Sequence, residues 1–271
     1  ASLIVLGLFE RLGVKRGEGF DHVHGLVEAT KRAFAVRDAN VADPALGHDV
    51  KPFLAADWLA DQADRIDRKR AGPWPGGADK GDTIWMGAID AAGVAVSYIQ
   101  SIFWEFGSGV VLPRTGILWQ NRGASFSLDP AATNPLAPGR KPFHTLNPAF
   151  ARFADGRVMV YGSMGGDGQP QFQAQVFTRH VRFGMEVGEA IAAPRFRAGK
   201  TWGDTGTTEL SMENRFDPDL VAARERAGHR VVVLDEAYSD GMGHAGAIVG
   251  RADGRLFGAS DPRSEGAAAG G

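Results

Sequence analysis

Apolar residues recur at three- and four-residue spacing along residues 1–67, and this pattern predicts helices. The first candidate, SLIVLGLFERLGV, stops at Gly13. A second spans residues 22–41, with an apolar stripe opposite a charged face, and a third covers residues 57–67. We therefore expect a helical N-terminal region.

The segment 71–82, AGPWPGGADKGD, has no apolar period and is rich in glycine and proline, which predicts an exposed, flexible linker. Residues 83–90 and 94–102 then read as two strands joined by a turn at 91–93. Apolar side chains fall on both faces of each of these strands, since neighbouring positions as well as alternate ones are apolar. We expect such strands to be covered on both faces.

The rest of the chain alternates between helical and extended patterns. A further strand is predicted at 157–164, helices at 173–185, 187–194 and 217–228, and a last strand and hairpin over HRVVVLD and HAGAIVGRADGRLFGASD. The order helix, sheet, helix, sheet predicts a layered α+β architecture.

The amino-acid composition of the chain argues against several classes of function. Thirty basic and 32 acidic residues leave a net charge of -2, which argues against nucleic-acid binding as the main function. The absence of cysteine excludes disulfides, thiolate nucleophiles and sulfur-ligated zinc. The longest apolar run, ASLIVLGLF, is shorter than the ~20 residues that span a bilayer and lacks signal-peptide features. Because the first residue is alanine, we read it as an internal start.

Three motifs offer weak chemical signals. GKT at 199–201 resembles the end of a phosphate-binding loop, but Pro194 stands where that motif needs glycine. His22 and His24 could hold a metal, yet the sequence places no third ligand near them, so we expect neither a metal nor an organic cofactor. GSMGGDG at 162–168 could cradle a phosphate or present N–H groups to an oxyanion.

The junction Gly81-Asp82-Thr83 delivers a hydroxyl residue from the linker to the first position of a strand. A cut before Thr83 would leave a hydroxyl and an α-amine on one residue. An α-amine, whose pKa is about 8, can act as the base that activates that hydroxyl. The alternative is that Thr83 is a β-branched residue that starts a strand and nothing more.

Several blocks resemble a known family. The run GDTIWMGAIDAAGVAVSYIQSIFWEFGSGVVLPRTGILWQNRGASFS is similar to the start of the small subunit of γ-glutamyltransferases, and GSMGGDGQPQ and GASDPRSEGAAAG resemble later blocks. Residues 24–38 resemble the end of the large subunit. The resemblance implies a four-layer αββα fold of the N-terminal-nucleophile hydrolase type. It also implies a proenzyme that cuts itself between Asp82 and Thr83, so that 1–82 belongs to the large subunit and 83–271 forms the small one.

The resemblance also assigns roles by position. Thr83 would be the autoprocessing residue and then the catalytic nucleophile, and Ser101 would be the second hydroxyl that hydrogen-bonds it. Gly165 and Gly166 match the glycine pair whose backbone N–H groups form the oxyanion hole. This favours the oxyanion interpretation of the glycine-rich loop over the phosphate one.

The substrate positions depart from the family pattern. Where typical members hold the substrate's α-ammonium group with Asn, Gln and Asp, this chain has Phe103, Arg122 and Ser125. The serine pair for the α-carboxylate is replaced by His144 and Thr145. Losing the acid and gaining a cation argues for a substrate without that ammonium, and Arg122 could bind a carboxylate instead. These departures resemble the branch that contains oxamate amidohydrolase and glutathione hydrolase-like members.

We therefore expect an amidohydrolase that acts on a small carboxylate-bearing amide. Two alternatives stay open: γ-glutamyl transfer or glutathione hydrolysis, and a non-catalytic fragment that does not mature. The family's large subunit is longer than 82 residues, so we expect a truncated chain whose partner is the remainder of that subunit. We expect no nucleic acid and no membrane as partners. Oligomeric state stays open, and a cytoplasmic location is favoured over a periplasmic one.

Overall fold

The computed structural model describes residues 1–74, 82–199 and 208–271. The α-helices in these ranges are α1 (Ser2–Leu12), α2 (Phe20–Asn40), α3 (Ala56–Asp64), α4 (Gln169–Phe177), α5 (Val187–Ala192) and α6 (Pro218–Arg226). The strands are β1 (Asp82–Ile89), β2 (Ala95–Phe103), β3 (Ala149–Arg152), β4 (Val158–Ser163), β5 (Phe196–Ala198), β6 (Glu209–Glu213), β7 (Arg230–Leu234), β8 (Ala245–Gly250) and β9 (Leu256–Ser260). Most of the predicted linker and the end of the GKT motif lie outside the described residues.

Three sheets organise the described chain. β1 and β2 form an antiparallel hairpin, and β3, β4, β8 and β9 form an antiparallel sheet with the order β3-β4-β8-β9. β5, β6 and β7 form a third sheet in which β6 and β7 are parallel. The strands β3, β5 and β6 were not predicted from the sequence. They have only four, three and five residues and, unlike β7 with its run of three valines, contain no run of β-branched residues.

Helices cover one face of the four-stranded sheet. Side chains of α4 and α5, among them Val176 and Ile191, form a buried cluster with Met159 and Val249 from the sheet. The helix α4 begins at Gln169, four residues before the predicted start, because Pro170 occupies its first turn, where a missing N–H costs nothing.

The hairpin β1–β2 covers the opposite face of that sheet. The indole of Trp85 lies over β4 and β8, and its Nε1 donates to Ser97 Oγ at 3.0 Å. A Cβ atom at Gly162 would come within 2.0 Å of this indole, and one at Gly246 within 2.4 Å. The two glycines thus let the hairpin pack closely on the sheet. The result is a helix–sheet–sheet layering.

The outward face of the hairpin contradicts the expectation that both faces are covered. Ile84, Met86 and Val96 point outward and keep 56%, 45% and 49% of their surface exposed. The inward positions pack on the four-stranded sheet, whereas no described residue forms a layer over the outward ones. The hairpin is therefore apolar on both faces as predicted, but no layer among the described residues covers its outward face.

Segments on either side of Thr83 share one hydrophobic core. Leu8 and Leu26 of the first two helices belong to the same buried cluster as Phe196, Leu210 and Met212. The predicted division at Asp82 and Thr83 concerns peptide-bond cleavage and stays a prediction.

No helix among the described residues is long and apolar enough to cross a membrane.

Candidate active site

Thr83 lies at the start of β1, where the pairing with β2 is irregular. Asp82 pairs with Phe103 and Ile84 with Gln100, so the register shifts at Thr83. Such bulges re-aim a side chain. Thr83 is 8% exposed, and its Oγ1 donates a hydrogen bond to Ser101 Oγ at 3.1 Å. The two hydroxyl residues predicted to act together are therefore in direct contact.

The backbone beyond Ser101 turns sharply. Phe103 has a φ of +81°, which is strained for a residue with a side chain and costs about 1–3 kcal/mol. Its N–H donates to Ser101 Oγ at 3.0 Å. Asn121 holds the same turn, since its Oδ1 accepts from the Trp104 N–H at 3.0 Å and its N–H donates to the Ile102 carbonyl at 3.1 Å. This strained turn aims the Phe103 ring toward the predicted substrate positions.

The glycine-rich loop follows directly after β4. Gly165 and Gly166 have φ values of +121° and +52°, which favour glycine. A Cβ atom at Gly165 would lie 2.8 Å from the Phe172 ring, so the loop also packs too tightly for a side chain. Trp85 faces Gly162 and Gly87 faces Val160, so earlier positions of β1 lie over later positions of β4. Two residues further in this direction, Thr83 is expected at the level of Met164, next to the glycine pair.

The predicted substrate positions lie together beside this hairpin end. Arg122 is 1% exposed, and its guanidinium carbon lies 4.2 Å from the centre of the Phe103 ring. Its Nη1 donates to Thr145 Oγ1 at 3.3 Å, and Ser125 Oγ donates to the Arg122 carbonyl at 2.8 Å. Burial, and secondly the positive charge of Arg122, lower the pKa of His144. The structure thus brings these five predicted positions together, while their roles stay predictions.

A cavity of about 330 Å³ is lined both by the predicted substrate segment and by the glycine-rich loop. His144 and Thr145 line it on one side, and Gly166 and Asp167 line it on the other. The rest of its wall includes apolar side chains of the N-terminal helices. A space of this size accommodates a small ligand. A second cavity, of about 540 Å³, lies at the start of α2 and contains none of the predicted site residues.

The ion pair between Arg37 and Asp167 was missed by sequence reasoning. Asp167 directly follows Gly166, and Arg37 lies on α2, 130 positions earlier. An acidic residue next to the glycine pair was the available signal, but nothing in the sequence indicates its partner.

The expectation that no third metal ligand lies near His24 is wrong. Ligand atoms of His24, Glu28 and His229 lie within 4.8 Å of one another. All three side chains already take part in hydrogen bonds, however. His24 Nδ1 lies 2.9 Å from His229 Nε2, and Lys31 Nζ donates to Glu28 Oε1 at 2.7 Å.

These contacts give the cluster another interpretation. Burial is the first cause that lowers the pKa values of His24 and His229, so both imidazoles are neutral at pH 7. Lys31 already neutralises the carboxylate of Glu28. The group is a hydrogen-bonded histidine pair beside an ion pair, and the absence of a metal site stays a prediction.

Comparison with known proteins decides the family. A model described as gamma-glutamyltranspeptidase matches residues 1–271. The chain belongs to the gamma-glutamyltranspeptidase family. The oxamate amidohydrolase proenzyme of Klebsiella pneumoniae is 56% identical over 270 residues, which cover 99% of this chain and 51% of that protein. The glutathione hydrolase-like YwrD proenzyme of Bacillus subtilis is 39% identical and covered to the same extents.

Solved structures agree with this family. The cephalosporin acylase of Bacillus halodurans has a TM-score of 0.80 at 28% identity, over 97% of this chain and 48% of that one. A chain of Helicobacter pylori gamma-glutamyltranspeptidase gives a TM-score of 0.56 at 25% identity, with 66% of this chain covering 99% of that one. The predicted α+β fold of the N-terminal-nucleophile hydrolase type is confirmed. This family member spans about half the length of the curated relatives it matches.

Proposed function

We propose that the protein is a self-processing amidohydrolase whose nucleophile is Thr83. The observation that carries this proposal is the hydrogen bond between Thr83 Oγ1 and Ser101 Oγ, at the strand end that lies level with the glycine pair. Maturation is cleavage of the Asp82–Thr83 peptide bond, which gives Thr83 a free α-amine. The word proenzyme in the names of the relatives at 56% and 39% identity supports this step.

The match to the Helicobacter pylori chain also supports a division that leaves a small subunit of this size. Sixty-six per cent of the present chain accounts for almost all of that separate chain. The residues from Thr83 to Gly271 number 189 of 271, which is a similar share.

The mature site supports a two-step hydrolysis. The α-amine of Thr83 takes the proton of its own Oγ1, which attacks the amide carbonyl carbon and forms a tetrahedral intermediate. The N–H groups of Gly165 and Gly166 stabilise the oxyanion. The C–N bond then breaks, the leaving amine carries the proton away, and water hydrolyses the ester to release the acid and restore the Thr83 hydroxyl.

The substrate we propose carries a carboxylate and lacks an α-ammonium group. Arg122 lies beside Phe103 and Thr145, where its positive charge would attract a carboxylate and repel an ammonium. His144 is held neutral next to it, so it can donate or accept a hydrogen bond without adding charge. Oxamate, a small carboxylate with an amide, fits this chemistry, and it is the substrate in the name of the 56% identical relative.

Hydrolysis or transfer of γ-glutamyl amides is the second candidate. The glutathione hydrolase proenzyme of Escherichia coli is 29% identical over 96% of this chain. For this activity, a segment other than Phe103, Arg122 and Ser125 must supply the acid that pairs with the ammonium.

The test compares two substrates on the protein expressed from its complete reading frame. Ammonia release from oxamate should exceed glutamate release from glutathione by at least about tenfold in kcat/KM, which corresponds to 1.4 kcal/mol. Thr83→Ala should abolish both activities, while Thr115→Ala, at an exposed threonine, should change neither. Equal turnover of the two substrates would refute the substrate class. Full activity of Thr83→Ala would refute the mechanism, and an inactive wild type would favour the chain that does not mature.

A further inference from the structure

A buried ion pair connects α2 to the glycine-rich loop. Arg37 Nη1 donates to Asp167 Oδ1 at 2.7 Å, and Nη2 donates to Asp167 Oδ2 at 3.2 Å. Arg37 and Asp167 are only 8% and 5% exposed. Two-point contact between a guanidinium and a carboxylate fixes orientation as well as distance.

Other contacts hold the guanidinium of Arg37 in place. Its Nε donates to Asp38 Oδ1 at 2.7 Å. Its central carbon lies 3.9 Å from the centre of the Phe34 ring and 5.6 Å from that of Phe143. Phe143 directly precedes His144, so the same guanidinium touches the loop and the predicted substrate segment.

The loop needs such external support. Gly165 and Gly166 both have positive φ values, and glycine is the residue with the most backbone freedom to lose. Inside the loop, the Gly168 N–H donates to the Gly165 carbonyl at 2.7 Å. The Asp167 carboxylate extends this arrangement to α2, which lies on the other side of the proposed cleavage point.

The charge of Asp167 gives Arg37 an electrostatic role in addition to the structural one. A carboxylate one residue from the proposed oxyanion donors would oppose the negative charge that develops there. Arg37, which also pairs with Asp38, offsets part of that charge and at the same time orients the loop. We propose that Arg37 is a positioning residue that holds the Gly165–Gly166 loop in its oxyanion-binding conformation through Asp167, an inference that rests on the proposed function.

Two single substitutions and their combination separate these effects. Arg37→Gln removes the cation that holds the Asp167 carboxylate at two points, so kcat for amide hydrolysis should fall about 100-fold, with KM within threefold of wild type. Asp167→Asn removes the charge but keeps the shape, and should lower kcat about tenfold. The double variant should resemble Asp167→Asn, because the two residues act as one unit.

Glu18→Gln is the matched control. Glu18 makes a similar two-point contact with the buried Arg179, at 2.7 and 3.0 Å, and lies away from the predicted site. This variant loses an ion pair of the same two-point geometry, with a carboxylate side chain that is 35% exposed. It should lower stability without changing kcat.

A second measurement does not depend on activity. Hydrogen–deuterium exchange of the peptide covering 163–172 should accelerate at least about tenfold in Arg37→Gln and Asp167→Asn, and stay unchanged in Glu18→Gln. If Arg37→Gln does not fold, Asp167→Asn still provides both measurements.

The outcomes distinguish the two proposals. An inactive wild type refutes the proposed function, and exchange of the 163–172 peptide then still decides whether Arg37 holds the loop. If the wild type is active, a kcat within threefold of wild type in Arg37→Gln and Asp167→Asn overturns the positioning role. An equal loss of kcat in Glu18→Gln, or unchanged exchange in both site variants, overturns it as well.

Discussion

Arg122 is almost fully buried, yet it places a guanidinium beside Phe103 and Thr145, while its backbone carbonyl accepts from Ser125 Oγ. Burying a charge is costly unless its neighbours stabilise it. The face of Phe103 and the hydroxyl of Thr145 provide part of that stabilisation, and Phe103 reaches its place through a strained backbone. The position of each of these residues depends on its neighbours. A paired substitution therefore tests their role in substrate binding better than a single one.

The paired substitution Arg122→Gln with Ser125→Asp should shift substrate preference toward γ-glutamyl amides. The change removes a cation and adds a carboxylate, so the ratio of kcat/KM for glutathione to that for oxamate should rise at least about tenfold. Steady-state kinetics with both substrates measures the ratio. Arg114→Gln with Ser108→Asp, at exposed positions, is the control. An unchanged ratio in the site variant would mean that Arg122 and Ser125 do not contact the substrate.

At the scale of elements, the sequence predicted α1, the hairpin β1–β2 and β4 within a few residues of their ends, because each has a clear period or a distinct stop. It missed β3 and β5, whose short pairings depend on neighbouring strands. The linear sequence also does not show which residues meet in the folded chain.

The same limit applies to the site. Hydroxyl and glycine residues in recognisable blocks led to Thr83, Ser101 and the glycine pair. Arg37 and Asp167 come together only through folding, as do His24 and His229, which lie 205 positions apart. No local pattern reports such pairs.

The buried histidines His24 and His229 should make the stability of the protein depend on pH. Burial lowers the pKa of His24, and burial together with Lys31 lowers that of His229 from 6.5 to about 3. The unfolded chain therefore binds more protons than the folded one between pH 6.5 and about 3. The free energy of unfolding should be highest above pH 6.5 and fall as the pH falls through this window.

Urea unfolding at pH 7.5, 6.0 and 5.0 measures this dependence. His229→Gln cannot be protonated, so its free energy of unfolding should fall less steeply with decreasing pH than that of the wild type. His48→Gln, at an exposed histidine, should follow the wild type. Identical slopes for wild type and His229→Gln would show that this histidine does not contribute to acid sensitivity.

At the scale of the whole molecule, exposed apolar side chains cluster on the outer face of β1–β2 and on the loop after it. Phe106 and Trp119 are 79% and 51% exposed. An apolar patch of this kind marks an interaction surface. We propose that the remainder of the large subunit covers this face. The curated relatives are about twice as long as this chain, which supports that assignment.

The most direct test of the central claim is the N-terminal sequence of the purified protein, expressed from its complete reading frame, together with its intact mass. We predict a piece that begins Thr-Ile-Trp, produced by cleavage between Asp82 and Thr83, and a single uncut chain for Thr83→Ala. An active wild-type enzyme that stays uncut, or a Thr83→Ala variant cut at the same bond, would contradict the assignment of Thr83 as the autoprocessing residue and nucleophile.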